Sequence, residues 1–385
     1  MKGQRNSFII AAVKFKSEHP RLIMTVLMLM IIPISASLIL GYEMKADVAV
    51  TIPTVIMDSD KSGFSENYIG YIKNSPYFNI VKYADSYDKV EEAIYEGKAY
   101  VGVIIPENFY KDMQAGKAPK ILTVYDGSTM AVIVSSKASM MEILLTVKAG
   151  YMASIYEGKQ SVVPGQVMNQ VMPLDTTIRT LYNPVKSFRN FVLPGLLAAI
   201  VQVAIAITGA ERGWENQRKN LLFREHLKVI LQWSLAGSLS MFLTLAIQWL
   251  IFGMPYRGTI PGGILLTLLF SICITLLGYM MGSFFDERTF CTQISCILVL
   301  PTAILGGYTW PVLAMPAAMQ YLAKAIPFTY YSESIRNLCL KPMRMNHLLP
   351  DFIAMSVFLL AGIITLYLIK TVRDKKLTEA GVMTP

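Results

Sequence analysis

The run "TGAERGWENQRKNLLFREHLK", residues 208–228, is charged and helix-prone, and it lies between two apolar stretches, 191–210 and 229–252. Read as a connection in contact with water, it makes its neighbours two separate membrane spans. A span needs roughly 20 mostly apolar residues. Residues 22–41, 263–285, 291–307 and 352–369 supply four more, the stretch 291–307 being interrupted by Pro301 and by Gly306 and Gly307. Composition points the same way, because 54% hydrophobic residues with only 16% charged is unusual for one globular domain of 385 residues.

Basic flanks orient the spans, since Lys and Arg in short loops stay in the cytoplasm. Lys2, Arg5, Lys14, Lys16 and Arg21 precede the first span, Arg212, Arg218, Lys219, Arg224 and Lys228 follow the second, and Lys370, Arg373, Lys375 and Lys376 follow the sixth. With six spans these segments share one side, which puts both termini in the cytoplasm and residues 42–186 outside. From residue 43 to 186 there are 14 basic and 16 acidic residues, net −2, so the rest of the chain carries +11 against a total of +9. Basic inner flanks beside anionic lipid account for that charge, and nucleic-acid binding is not needed. The first span reads as an uncleaved anchor, its apolar run continuing to Leu40 past the faint cleavage-like Ser35-Ala36-Ser37. Before it, "SFIIAAVKFK" (residues 7–16) reads either as a helix on the inner membrane surface, within a 1–21 segment, or as an ordinary basic flank.

The outer segment has the alternation of a soluble α/β domain. Strands are expected at 54–60, 78–84, 99–106 and 120–128, helices at 64–74, 87–98 and 107–116, and a long helical region at 130–156. Asp58, Asp60 and Asp126 sit near strand ends, where a carboxylate serves metal binding or acid–base chemistry but more commonly forms a turn. The segment has no His and no Cys, so a disulfide framework is excluded and the usual group titrating near neutrality is missing. Binding or a structural role is expected there in preference to catalysis. In the spans, Cys273, Cys291 and Cys296 read as packing residues, and His19, His226 and His347 have no metal-ligand spacing with any cysteine.

Within 208–228, Glu215 precedes Arg218 by three residues and Lys219 by four, so local ion pairs can support a helix near Glu211 and Arg212. Trp214 suits an interfacial site and Leu221, Leu222 and Phe223 supply an apolar patch. A short helix over 211–228, fixed to a span at each end, works as a lever; a solvated basic loop is the equal alternative. Across 306–340, Pro311, Pro316 and Pro327 break an apolar region, and backbone broken at membrane depth must be buried in protein or border water. Two short helices that dip in and return fit this pattern, near 317–325 and 330–338, with Glu333 and Arg336 three apart and able to pair. Gln202, Gln232, Gln248 and Gln293, with Thr208 and Thr244, are the polar residues of the spans, read as interhelical hydrogen bonders first and lining of a pathway second. No span interior holds a charge, which disfavours proton coupling.

The sequence "LGGYTWPVLAMPAAMQYLAKAIPFTYYSESIR" (residues 305–336) resembles the Gly turn, Met-Pro, Ile-Pro-aromatic step and closing Arg of the type 2 ABC exporter permeases. "ERGWENQRKNLL" (residues 211–222) is similar to their acidic coupling-helix segment, departing from the commoner Glu-x-Glu-x-Gly-Thr form, and residues 99–128 resemble the outer domain of one branch. The likeness extends over essentially the whole chain. It implies an α-helical polytopic membrane protein of six transmembrane helices plus re-entrant outer helices at 306–340, with an inserted extracytoplasmic α/β domain at 42–186. It further implies a bacterial inner-membrane permease that moves an apolar or amphipathic substrate outward, working as a dimer with a second copy or paralogue. Glu211, Arg212, Trp214, Glu215 and Arg218 are then the residues coupled to cytoplasmic ABC ATPase subunits, which bind the ATP and Mg; a periplasmic adaptor is a further partner the likeness allows. No Gly-x-x-x-x-Gly-Lys-Ser/Thr phosphate loop occurs in this chain. A membrane-anchored receptor or scaffold that transports nothing is the alternative, and it requires neither the lever nor the broken segment. A membrane hydrolase is a third reading, disfavoured because no nucleophile, base and acid set is discernible.

Overall fold

The computed structural model of the chain describes residues 20–46, 50–115, 117–160, 181–184, 187–217, 219 and 221–379. It divides into two compact units, Met1–Lys45 with Arg189–Pro385, and Ala46–Phe188. The surface helix expected over 1–21 lies, up to residue 19, outside the described residues. Helix α1, Pro20–Glu43, is the first span.

In the second unit, β1 (Ile52–Asp58), α2 (Gly63–Asn74), β2 (Phe78–Tyr83), α3 (Tyr87–Tyr95), β3 (Val101–Ile105), α4 (Phe109–Gln114), β4 (Leu122–Tyr125) and α5 (Met130–Gln160) follow in order. The sheet has the order β2-β1-β3-β4, with β1 parallel to both neighbours and β4 antiparallel to β3. Every residue of β3 is buried, as expected of a strand covered on both faces. Tyr68, Ile69 and Ile72 of α2 and Met140 and Val147 of α5 join Ile56, Val103 and Ile105 in one core layer, while Val90 and Ala93 of α3 join Val55 and Ile104 in the other. The acidic residues at the strand ends hold turns. Asp58 accepts from the backbone N–H of Asp60 and Lys61, each at 3.1 Å, and from Ser65 Oγ at 2.8 Å. Asp60 accepts from the Tyr110 N–H at 3.2 Å. Asp126 accepts from the Ser128 N–H at 2.9 Å, which holds its carboxyl below the usual range. Ser62 and Ser65 close a reciprocal cap at the start of α2.

The first unit continues with α6 (Phe188–Asn216), α7 (Phe223–Leu250), α8 (Ile260–Phe284), α9 (Arg288–Val299), α10 (Thr302–Leu305), α11 (Ala317–Lys324), α12 (Pro327–Leu340) and α13 (Leu349–Glu379). Six helices are long and apolar enough to cross a membrane among the described residues, α9 and α10 counting together as Arg288–Leu305. Pro301, between them, divides the fifth span where the sequence is interrupted. The chain is thus a mostly helical polytopic membrane protein.

Two kinds of contact position the helices. Along α6 and α8 the backbones touch: a β-carbon on Gly282 meets Ala210 O at 2.0 Å, one on Gly278 meets Ala206 O at 2.1 Å, and one on Gly213 meets Tyr279 O at 2.2 Å. Small residues on both sides permit this approach, and without water the gain is in dispersion. Helix α1 is tied to α7 by buried hydrogen bonds, Ser240 Oγ to Leu29 O at 2.5 Å, Ser37 Oγ to Thr244 O at 2.9 Å and Gln248 Nε2 to Ser37 O at 2.6 Å.

Candidate functional site

The run 208–228 is not one helix. Helix α6 continues through Glu211, Arg212, Trp214 and Glu215 to Asn216, residues 217–222 are non-helical where described, and α7 begins at Phe223. The lever expected over 211–228 is therefore two helix ends and a turn. The helix does not stop at the first charge because its charged side chains find partners on other helices. Glu211 Oε2 accepts from Thr25 Oγ1 of α1 at 3.0 Å, and Glu211 Oε1 accepts from Arg288 Nη2 of α9 at 2.5 Å. Arg212 donates to the same Thr25 hydroxyl at 3.0 Å, pairs with Glu215 at 2.5 Å, and lays its guanidinium 4.2 Å from the Trp233 ring of α7. Glu215 thus pairs backward with Arg212, while Lys219 donates to Asn216 Oδ1 at 2.8 Å; the expected pairing of Glu215 with Arg218 lies outside the described residues. Trp214 Nε1 donates to Asp286 O at 2.7 Å, and Arg373 of α13 pairs with the Asp286 carboxylate and donates to Ser283 O at 2.6 Å.

Four of the five expected coupling residues are consequently directed into their own unit. The side chains of Arg212 and Glu211 are 12% and 15% exposed, whereas Leu222, in the turn, is 60% exposed, and Lys219 and Arg224 are exposed with it. What this end of the bundle presents is an apolar residue among cations; behind it is a joint linking α1, α6, α7, α9 and α13.

At the opposite end of α6 the chemistry changes. Pro194 removes a backbone donor inside the helix. The Tyr308 hydroxyl enters the gap, accepting from the Gly195 N–H at 2.8 Å and lying 2.9 and 2.7 Å from the carbonyls of Phe191 and Val192, to one of which it donates. A β-carbon on residue 195 would sit 2.2 Å from the Tyr308 ring, so the position must be Gly. Gly306 and Gly307 end α10, Gly307 at φ +81° where other residues are strained. Pro311 opens a single tight turn, Pro316 precedes α11, and Pro327 is the first residue of α12, where its missing N–H has no helical acceptor to lose. The second short helix is therefore longer than 330–338. Glu333 and Arg336 form no ion pair: Glu333 is exposed, and the Arg336 guanidinium rests 4.5 Å from the Phe191 ring and 4.4 Å from the Tyr308 ring.

The four glutamines separate. Gln202 is buried and donates to Thr302 Oγ1 at 3.1 Å, and Gln248 is buried against Ser37. Gln232 and Gln293 are exposed on the single chain. Thr25, Arg288, Trp233, Tyr308 and Gly195 were not singled out by sequence reasoning; a visible signal existed only for Gly195, in the Pro194-Gly195 pair within an apolar run.

The family described as ABC-2 family transporter protein matches residues 20–372, almost the whole of the described chain. This chain is a member of that family. The ABC-2 assignment agrees with three relatives. "Probable multidrug ABC transporter permease YbhS" of Escherichia coli K12 is 22% identical over 329 residues, 82% of this chain and 83% of that protein. "Inner membrane transport permease YhhJ" of the same organism is 21% identical over 320 residues, covering 79% and 80% of the two. "ABC transporter G family member 20" of Dictyostelium discoideum is 25% identical over 186 residues, 46% of this chain and 26% of that protein. This ABC-2 protein is a membrane permease of an ABC transporter.

Proposed function

We propose that the chain is the membrane subunit of an ATP-driven exporter that moves an apolar or amphipathic compound outward across a bacterial inner membrane. Two permeases, identical or paralogous, work with two cytoplasmic ATPase subunits that bind ATP and Mg. Both termini and the Glu211 end are cytoplasmic, the Ala46–Phe188 unit is extracytoplasmic, and α11 and α12 re-enter the membrane from outside. The basic flanks support this orientation, and a periplasmic adaptor is a partner the outer unit can recruit. The observation that carries the reading is the joint at Glu211, a half-buried set of ion pairs and hydrogen bonds joining α1, α6 and α9 beside an exposed apolar turn.

In this reading two tasks belong to two sets of residues. Leu222 and Arg224 dock on the ATPase; Glu211, Arg212 and Glu215 pass its movement to α1 and α9. ATP performs work only if it binds one arrangement better than the other by enough to offset the change in the membrane part. The test follows from that division. Leu222→Asp should abolish copurification of the ATPase, whereas Glu211→Gln combined with Glu215→Gln should leave copurification intact and stop export. Normal export in both variants would refute the reading.

A further inference from the structure

Away from the Glu211 end, α7, α8 and α12 enclose a cavity of about 280 Å³. Phe242, Ala246, Trp249, Tyr256, Ile264 and Cys339 form most of its wall, and its rim residues Trp249, Ile260 and Ile264 are exposed. The volume is slightly below the range of about 300–1,000 Å³ usual for sites that hold a drug-sized molecule, which suits a single flexible chain. Two of its walls, α7 and α8, are helices of spanning length, so on the membrane reading its opening meets lipid hydrocarbon, in which an unfilled apolar groove forfeits dispersion contacts.

A charged collar adjoins this groove. The N–H groups of Arg257 and Gly258 both donate to Leu338 O, at 3.0 and 2.8 Å, and that of Thr259 donates to Met343 O at 3.0 Å. These bonds lash the α7–α8 loop to the end of α12 and bring Arg257, Lys341 and Arg344 to one edge of the cavity, with Arg257 and Arg344 exposed. The nearby carboxylates are Glu333, exposed on α12, and Asp351, which is taken up by Ser334. Trp249 and Tyr256 line the groove, Tyr256 next to Arg257 in the chain, and aromatic residues of this kind are enriched where spans meet headgroups.

We infer that this groove holds one acyl chain of a phospholipid whose phosphate is read by Arg257 and Arg344. Guanidinium groups match phosphate oxygens in paired hydrogen bonds. The site depends on the membrane reading of the spans but not on the exporter reading, because occupancy requires neither ATPase nor cargo. The full chain, purified in nanodiscs, is irradiated with phosphatidylglycerol bearing a diazirine on one acyl chain, and labelled peptides are mapped by mass spectrometry. Labelling should concentrate in residues 242–267 and 335–343 over the exposed face of α13. Ala246→Trp, or the milder Ala246→Phe, should remove groove labelling and leave α13 labelling as the internal control of folding. Arg257→Ala should lower groove labelling about fivefold, the effect of one cation beside an anionic headgroup. A diazirine diacylglycerol, which lacks the phosphate, should label the groove weakly and be insensitive to Arg257→Ala. Labelling spread evenly over the lipid-facing helices, or groove labelling unaffected by filling at Ala246, would overturn the inference.

Discussion

At one end of α6, Glu211 and Arg212 are tied as charged groups to Thr25, Arg288 and Trp233; at the other, the Tyr308 hydroxyl plugs a gap left by Pro194, and Arg336 rests on aromatic rings. The two ends fix the same helix by different means, and the means set what each can do. Arg288 is 39% exposed, so when its pair with Glu211 opens, water can solvate the guanidinium, while Glu211 keeps its hydrogen bond from Thr25, and the net loss is modest. Tyr308 is 4% exposed, and a backbone N–H or C=O left there without its hydroxyl finds no water, so the cost of opening is the full desolvation of those groups. The Glu211 end is built to rearrange and the Tyr308 end to stay.

The most severe way to break this contrast is to attack what the Glu211 end leans on. Gly282→Val drives a side chain into Ala210 O, a backbone atom that cannot move aside. Overpacking of this kind costs about 3 kcal/mol or more, and a thermal scan of the purified protein should show a large fall in midpoint, with Gly282→Ala already destabilising. A normal midpoint for Gly282→Val would mean that α6 and α8 are not in backbone contact.

Smaller effects sharpen the comparison. Tyr308→Phe keeps the ring and removes only the hydroxyl, orphaning the Gly195 N–H; it should cost about 1–3 kcal/mol and be insensitive to salt. Arg288→Ala should cost about 1 kcal/mol, and that penalty should shrink when the comparison is repeated in high salt, since exposed pairs are screened. Equal salt responses in the two variants would erase the distinction between the ends.

Which of these features the sequence reveals follows from how far apart the partners lie along the chain. The spans and the alternating strands and helices of the 46–188 unit are local patterns, and β1, α2, β2, α3, β3 and β4 fall within two or three residues of their expected ends. Helix α6 outruns its expected end at 210 because the residues that satisfy Glu211, Thr25 by a hydrogen bond and Arg288 by an ion pair, are 186 and 77 positions away. Spacing within 211–219 correctly points to pairs three residues apart, since Glu215 pairs with Arg212, but the partners of Glu211 are tertiary and leave no trace in that spacing. Tyr308 and Gly195, 113 positions apart, escaped notice for the same reason. Gln202 and Gln248 are interhelical hydrogen bonders, as a buried amide must be, and nothing in the sequence distinguishes them from the exposed Gln232 and Gln293.

The smallest expected effect is at Arg336, and it separates folding from transport most cleanly. A cation over two rings at a partly exposed site contributes on the order of 1 kcal/mol, and a methionine can keep much of the apolar contact. Arg336→Met should therefore shift the thermal midpoint little, and less than Tyr308→Phe does. Arg336→Lys keeps the charge but loses the planar surface that lies on Phe191 and Tyr308. If the charge at this end exists only to hold α12 against α6, Lys and Met should leave export equally unaffected. If the charge meets an anionic group on a passing molecule, Lys should retain export of that molecule and Met should lose it, with both proteins equally folded. Export assays of the two variants with an anionic and a neutral amphiphile decide between these outcomes, because a structural cation cannot discriminate between the two compounds.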